Sequence, residues 1–255
     1  MKNPFKRSSK PESTDATMSL MEHLAELRSR LIKCVVAVVV CAIVVYFFNN
    51  QIYNFATKPY CDAISGTNQT NCDLVFLGLL EGFGLRLKIA TYLGIFFASP
   101  IILWQIWRFI APGLYKKERR YAVAFVASST ALFALGAVIA YYSLAAMFQW
   151  LIQNGGGGVY QNRAEDYFSL LAIMILAFGI GFEYPLLLVV LQIVGLVTPS
   201  KLAQYRRHSM VGVVAIVAVV TPGGDPISLA ALSIPMIVFY EISIWIGRAI
   251  VRRRA

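Results

Sequence analysis

The sequence predicts an all-α polytopic membrane protein with six transmembrane helices and both termini on the cytoplasmic side. Three observations carry that prediction. Of its 255 residues, 58% are hydrophobic and 14% charged, whereas a soluble domain carries about 25% charged residues. The missing charges are concentrated in runs. No charged residue lies between Arg120 and Arg163 or between Ile89 and Trp107, and from Tyr167 to Ser200 the only one is Glu183. Each run approaches or exceeds the ~20 apolar residues a helix needs to cross a ~30 Å hydrocarbon layer. The third observation is where the cations fall. Of 23 Lys and Arg, all but Lys58, Arg86, Lys88 and Arg163 fall on one side of the membrane if the helices alternate. The positive-inside rule makes that side the cytoplasm. A nucleic-acid patch would not respect such alternation, so the net charge of +10 is read as topology.

Residues 1–17, rich in Lys, Ser and Pro, read as a disordered basic cytoplasmic tail. The first apolar run begins only at Leu31, with no small-residue cleavage site after it, so it reads as a retained anchor. Ser19-Leu20-Met21-Glu22 has capping-box form. Leu20, Leu24, Leu27 and Leu31 then recur at helical spacing, an amphipathic start that runs into span 1, about residues 31–48. Residues 49–86 form a long outside segment containing Cys61 and Cys72, and span 2 follows at about 87–107. A basic cytoplasmic loop, 108–120, leads to span 3 at about 121–147. The glycine-rich outside loop near 153–162 has no Lys-Ser/Thr after its glycines and is no phosphate cradle. Span 4 covers about 167–196 and span 5 only 209–221, roughly 20 Å at 1.5 Å per residue. After a Pro/Gly turn, span 6 runs over about 227–247, with a basic cytoplasmic tail at 249–255.

Catalytic sets are missing from the sequence. The chain has two histidines, His23 and His208, and no HExxH. Gly223-Gly224-Asp225 shares part of the GxGD pattern of intramembrane aspartyl proteases, but no second Asp lies in any span to share its proton. No metal, cofactor or enzymatic activity is expected. The intramembrane acids are more informative, because a charge near the bilayer centre costs about 2.5–3.5 kcal/mol even on the lenient scale. Glu183 sits in FGIGFEYP, where Pro185 is expected to kink the helix. It can be a functional group or a hydrogen-bonded brace between helices. Glu241 lies nearer the cytoplasmic end of span 6, within reach of water or the Arg248 region. Cys61 and Cys72 share one outside loop, where an oxidising compartment favours a disulfide. Cys34 and Cys41, seven residues apart on span 1, read as packing residues. Glu26 and Glu118 each stand inside a basic segment, an arrangement that by itself is compatible with ordinary surface pairing.

Taken together these segments resemble the TatC family, the multispanning receptor of the twin-arginine protein translocase. His23-Leu24-Ala25-Glu26-Leu27-Arg28-Ser29-Arg30 is similar to that family's HLxELRxR opening, with Arg28 and Arg30 as its secondary cytoplasmic motif. Residues 100–115, PIILWQIWRFIAPGLY, with KKERR after them, resemble its first cytoplasmic loop. FG through EYP in residues 178–185 resembles the span 4 signature, and Asp225 after Thr221-Pro222, with IPM and YEI in span 6, fits the last hairpin. The likeness covers about residues 18–248. It implies a glove-shaped, non-enzymatic bundle in a bacterial-type plasma membrane, oligomeric within a larger complex of TatA- and TatB-like single-span partners. It implies that folded cargo presents a signal peptide with paired arginines at the cytoplasmic face, bound by Glu26, Phe109 and Glu118. Carboxylate forks suit guanidiniums, and an interfacial aromatic suits the signal's apolar part. The resemblance also implies roles for Pro59 in the outside loop and for Glu183, Asp225 and Glu241 as polar contacts facing partners. Short span 5 would thin the bilayer locally and offer a docking face. The turn over 222–229 departs from the family's common TPPD form by one extra residue, and Leu229 stands where many members carry Gln. A solute or proton-coupled carrier using Glu183 is the competing class. Against it stand the lack of a charged mid-depth partner and of any inverted repeat.

Overall fold

The computed structural model of the chain describes residues 20–65, 72–110, 122–155, 162–221 and 225–254. Eight helices account for nearly all of them: α1 (Leu20–Phe47), α2 (Asn49–Ile64), α3 (Leu79–Ile110), α4 (Ala122–Asn154), α5 (Ala164–Val194), α6 (Pro199–Gln204), α7 (Arg206–Val220) and α8 (Pro226–Arg254). Among the described residues the only extended pairing is an isolated parallel bridge between Val75 and Arg163. In a bilayer every backbone polar group must be satisfied within the protein, and helices do this within one segment. Five helices, α1, α3, α4, α5 and α8, are long and apolar enough to cross. The sixth span is α7, whose 15 residues extend about 22 Å at 1.5 Å per residue.

The helices overrun the expected spans. Span 2, expected at about 87–107, is α3 from Leu79 to Ile110. Span 3, expected to end near 147, continues in α4 to Asn154. The basic tail expected from 249 is helical as far as Arg254, continuous with α8. An apolar run fixes only the part of a helix that hydrocarbon demands; hydrogen bonding carries it on until a breaker intervenes. The larger correction is α2, inside a segment expected to be a plain outside loop. Ile52, Ala56, Tyr60 and Ile64 recur every four residues, and Ala56, Tyr60 and Ile64 are buried. That stripe is masked in the composition by Asn, Thr, Lys and Pro59, which α2 accommodates in its interior. α5 likewise runs through Pro185 without ending.

α5 is the central helix and α1 the peripheral one: 44% of α5's apolar window is buried inside the protein, against 6% for α1. Met174, Phe178 and Phe182 of α5, all fully buried, pack with Leu144 and Met147 of α4 and Leu232 of α8. Without a hydrophobic drive between helices in lipid, close approach through small residues supplies the packing. A Cβ on Gly136 of α4 would come within 2.6 Å of the Phe178 carbonyl oxygen, so α4 and α5 touch backbone to backbone there. Gly94 of α3 receives Ala42 of α1 as closely, at 2.8 Å. Side-chain hydrogen bonds fix the remaining elements. The Tyr167 hydroxyl donates to the Ala56 carbonyl at 2.5 Å and that of Tyr141 to Phe55 at 2.8 Å, clamping α2 onto α5 and α4. The Gln192 amide of α5 donates to the Ser243 carbonyl of α8 at 3.1 Å. The Tyr240 hydroxyl donates to the Leu202 carbonyl at 2.8 Å and seats α6 on α8.

Candidate functional site

The start of α1 lies against the end of α3, and their polar residues form one assembly. Arg30 lies one turn beyond Glu26 on α1, and its Nε donates to Glu26 Oε1 at 3.0 Å, with Nη2 on the same oxygen. The Arg30 Nη1 also reaches Gln105 Oε1 of α3 at 3.5 Å. Phe109, half-buried near the end of α3, stacks on the His23 ring with centroids 4.5 Å apart. His23 and Arg108 add to the positive field around Glu26. Glu26 Oε2 is shielded yet has no hydrogen-bond partner among the described residues. One carboxylate oxygen is therefore engaged and the other is left for a donor, beside an aromatic face. A buried acceptor without a donor costs about 1–3 kcal/mol. Arg28 is exposed. Glu118 lies outside the described residues.

A second assembly lies inside the bundle. Glu183 of α5 accepts a short hydrogen bond from the Ser129 hydroxyl of α4. The Trp107 indole of α3 donates to the same hydroxyl oxygen at 3.5 Å. Glu183 Oε1 has no partner among the described residues. The contact joins three helices and lies nearer the Val194 end of α5 than the Ala164 end. Ser129 was not singled out from the sequence, although Ser128-Ser129-Thr130 is a polar run in an otherwise apolar helix. The other two intramembrane acids are not near Glu183 in role. Asp225 is fully buried, and its Oδ1 accepts from the Ser228 backbone N–H at 2.6 Å, capping α8 ahead of Pro226. Glu241 pairs with Arg206 at the start of α7, at 2.9 Å, instead of with the Arg248 region.

The opposite end carries the residues expected outside. Pro59 is buried within α2. Cys61, two residues on, is joined to Cys72, with Cα atoms 5.1 Å apart, so the end of α2 is tied to the segment that leads into α3. Lys88 of α3 meets Glu165 of α5 at 2.7 Å, and Arg163 meets Glu81 at 3.5 Å and Glu165 at 3.7 Å. Two of the four cations expected outside, Lys88 and Arg163, are thus paired with acids of the same layer. Among the described residues no group of His, Cys, Asp and Glu is placed to hold a metal.

Fold and site together define a polytopic helical membrane protein with a shielded, half-satisfied carboxylate beside an aromatic at one face. A family model for the Sec-independent protein translocase protein TatC matches residues 22–235. A TatC of Frankia casuarinae is 38% identical over 241 residues, covering 91% of this chain and 66% of the relative. One of Halothiobacillus neapolitanus is 37% identical over 230 residues, covering 89% and 61%. The chain therefore spans somewhat under two thirds of the length of these two relatives. A crystal structure of a twin arginine translocase receptor TatC in the detergent DDM superposes with a TM-score of 0.75 at 33% identity, covering 89% of this chain and 99% of that one. The chain belongs to the TatC family, whose members are protein-translocase subunits and not enzymes.

Proposed function

We propose that this chain is the receptor and core subunit of a twin-arginine translocase, set in a bacterial-type plasma membrane with both termini cytoplasmic. It binds the paired-arginine signal peptides of folded cargo at the cytoplasmic face and organises TatA- and TatB-like single-span subunits for export. It works as a homo-oligomer within that larger complex. Residues 18–248 form the working membrane domain, flanked by basic tails at 1–17 and 249–255. The observation that carries the reading is the juxtaposition of Glu26, with one oxygen free, and Phe109 where α1 meets α3.

One signal arginine takes Glu26, sharing or displacing the internal Arg30 guanidinium, and the second takes Glu118. The apolar stretch of the signal packs on Phe109. Arg30 holds the Glu26 carboxylate in place before cargo arrives, and His23 orients the Phe109 ring by stacking. The cationic surroundings reject single positive charges unless both carboxylates are engaged at once, which confers selectivity by repulsion as well as attraction. Glu183, Asp225, Glu241 and the outer turn around Pro59 serve the partner subunits. The test is site-specific photocrosslinking from Phe109 in membranes carrying a signal peptide with two arginines or with two lysines. Adducts to the arginine peptide alone support the reading. Equal adducts to both peptides, or none, remove it.

A further inference from the structure

Between the start of α2 and the first turns of α3 lies an open groove of about 910 Å³. It is lined on one side by Asn49, Asn50 and Asn54 and on the other by Gly82 and Arg86. Ile89 forms part of its wall and also borders a second, wholly apolar cavity of about 90 Å³ between α2, α3, α4 and α5, lined by Phe55, Tyr92, Phe96 and Phe168 among others. The polar mouth therefore lies beside an apolar slot, with Ile89 as the wall between them.

Three separate features of the mouth ask for an anion. The N-terminus of α2 has no side-chain cap, with Phe48 at the capping position, and no acid in its first turn. Its first N–H groups therefore have no side-chain acceptor of their own. Asn49 is only 7% exposed, and its side-chain amide nitrogen has no hydrogen-bond partner among the described residues. Arg86 is exposed, and unlike its neighbours Lys88 and Arg163 it makes no ion pair among the described residues. Around the mouth Phe76, Leu79 and Phe83 are 45%, 103% and 57% exposed, which suits hydrocarbon and not water. Arg86 lies about one turn further along α3 than Phe83 and lines the same groove.

We propose that this groove binds an anionic phospholipid, with its phosphate between Arg86 and the uncapped start of α2 and one acyl chain running past Ile89 into the apolar cavity. A phosphodiester supplies acceptors only, which matches the unpartnered Asn49 amide nitrogen and the unpaired Arg86 guanidinium at the mouth. An acyl chain supplies a narrow apolar body, which matches the slot. In the proposed orientation the lipid belongs to the outer leaflet. The site itself does not depend on that orientation or on signal recognition.

The probe is phosphatidylglycerol against phosphatidylcholine of the same chains, added to the purified full chain in detergent and read by native mass spectrometry. The unaltered chain is expected to hold phosphatidylglycerol more tightly. Near a membrane surface one cation contributes about 1 kcal/mol toward an anionic lipid, or about fivefold in affinity. Arg86→Gln should lose about that factor for phosphatidylglycerol alone, and Arg86→Lys should retain most of it. Gly82→Leu should weaken both lipids, since a Cβ there meets nothing within 4 Å and the added side chain fills the groove and not the protein. Unchanged phosphatidylglycerol binding in Arg86→Gln and Gly82→Leu overturns the proposal. So does full competition by glycerophosphoglycerol, which carries the headgroup without acyl chains. A photocrosslinker at Phe83 that captures a single-span polypeptide in membranes, and not lipid, also overturns it. No signal peptide enters these measurements, so their failure leaves the receptor reading untouched, and the reverse.

Discussion

Glu26 is held by Arg30 through one oxygen only, and the use of the other oxygen can be measured. Replacing Glu26 or Glu118 by Gln should cost roughly 1.5–3 kcal/mol, the scale of a hydrogen bond to a charged group, or about ten- to over a hundredfold in affinity for a twin-arginine peptide. The loss should shrink when the peptide arginines are themselves replaced, which is what a double-mutant cycle detects. Full additivity in both cycles would mean that the arginine pair is read elsewhere. Glu183 poses a different question, because its visible partner is a neutral hydroxyl. Glu183→Gln keeps an acceptor for Ser129 and should insert and fold. It should weaken crosslinking to single-span subunits if the carboxyl serves assembly, and Glu183→Lys should do more damage. Ser129→Ala removes the only donor to Glu183 among the described residues and should reproduce part of the Gln phenotype. Unchanged crosslinking and export in all three variants would reduce the Trp107–Ser129–Glu183 contact to helix packing.

Among the elements, α2 and the α4–α5 crossing make predictions that need no cargo. α2 is clamped by the Tyr141 and Tyr167 hydroxyls and tied by the Cys61–Cys72 bridge, eleven residues apart in sequence. Closing so short a loop stabilises by somewhat under ~3 kcal/mol in the chain-entropy picture. Cys61→Ser should therefore lower the midpoint of thermal unfolding without abolishing insertion or export. Ready reaction of both thiols with an impermeant maleimide in intact cells, without prior reduction, would show that the bridge does not form there. The α4–α5 contact at Gly136 is less forgiving, because the obstacle is backbone. Gly136→Leu must push the two helices apart, at a cost of about 1–3 kcal/mol or more. It should be destabilised in detergent melts by more than Gly82→Leu, whose site is open. Equal melting of the two variants would contradict the packing described.

At the scale of the whole chain, hydrocarbon and charge made most of the architecture legible from sequence. A run such as residues 121–162 admits no soluble alternative, and the short α7 follows from the distance between basic loop and Pro/Gly turn. α2 was not legible as a helix because its buried stripe is spread among Asn, Thr and Lys, and hydropathy averages over that face. In the candidate site, Glu26, Arg30 and Phe109 were singled out through their resemblance to family motifs, whereas the contacts that join them were not. Arg30–Gln105 and Ser129–Glu183 join residues 75 and 54 positions apart, and no local spacing reveals which helices will meet. The orientation of the whole rests on the cations. Nineteen of the 23 fall on one side in the six-span arrangement, and two of the remaining four, Lys88 and Arg163, are paired with Glu165 and Glu81. In the proposed orientation those two pairs lower the cost of leaving the charges outside, and the positive-inside rule would let the excess on the other side set the direction of insertion. Asn154, exposed at the end of α4, should then face outward, and Lys201, exposed in α6, should face the cytoplasm. In intact cells an impermeant maleimide should label Asn154→Cys at once and Lys201→Cys only after lysis. Labelling in the reverse order would invert the protein in the membrane. Glu26 and Phe109 would then lie on the outer face, out of reach of any signal peptide in the cytoplasm.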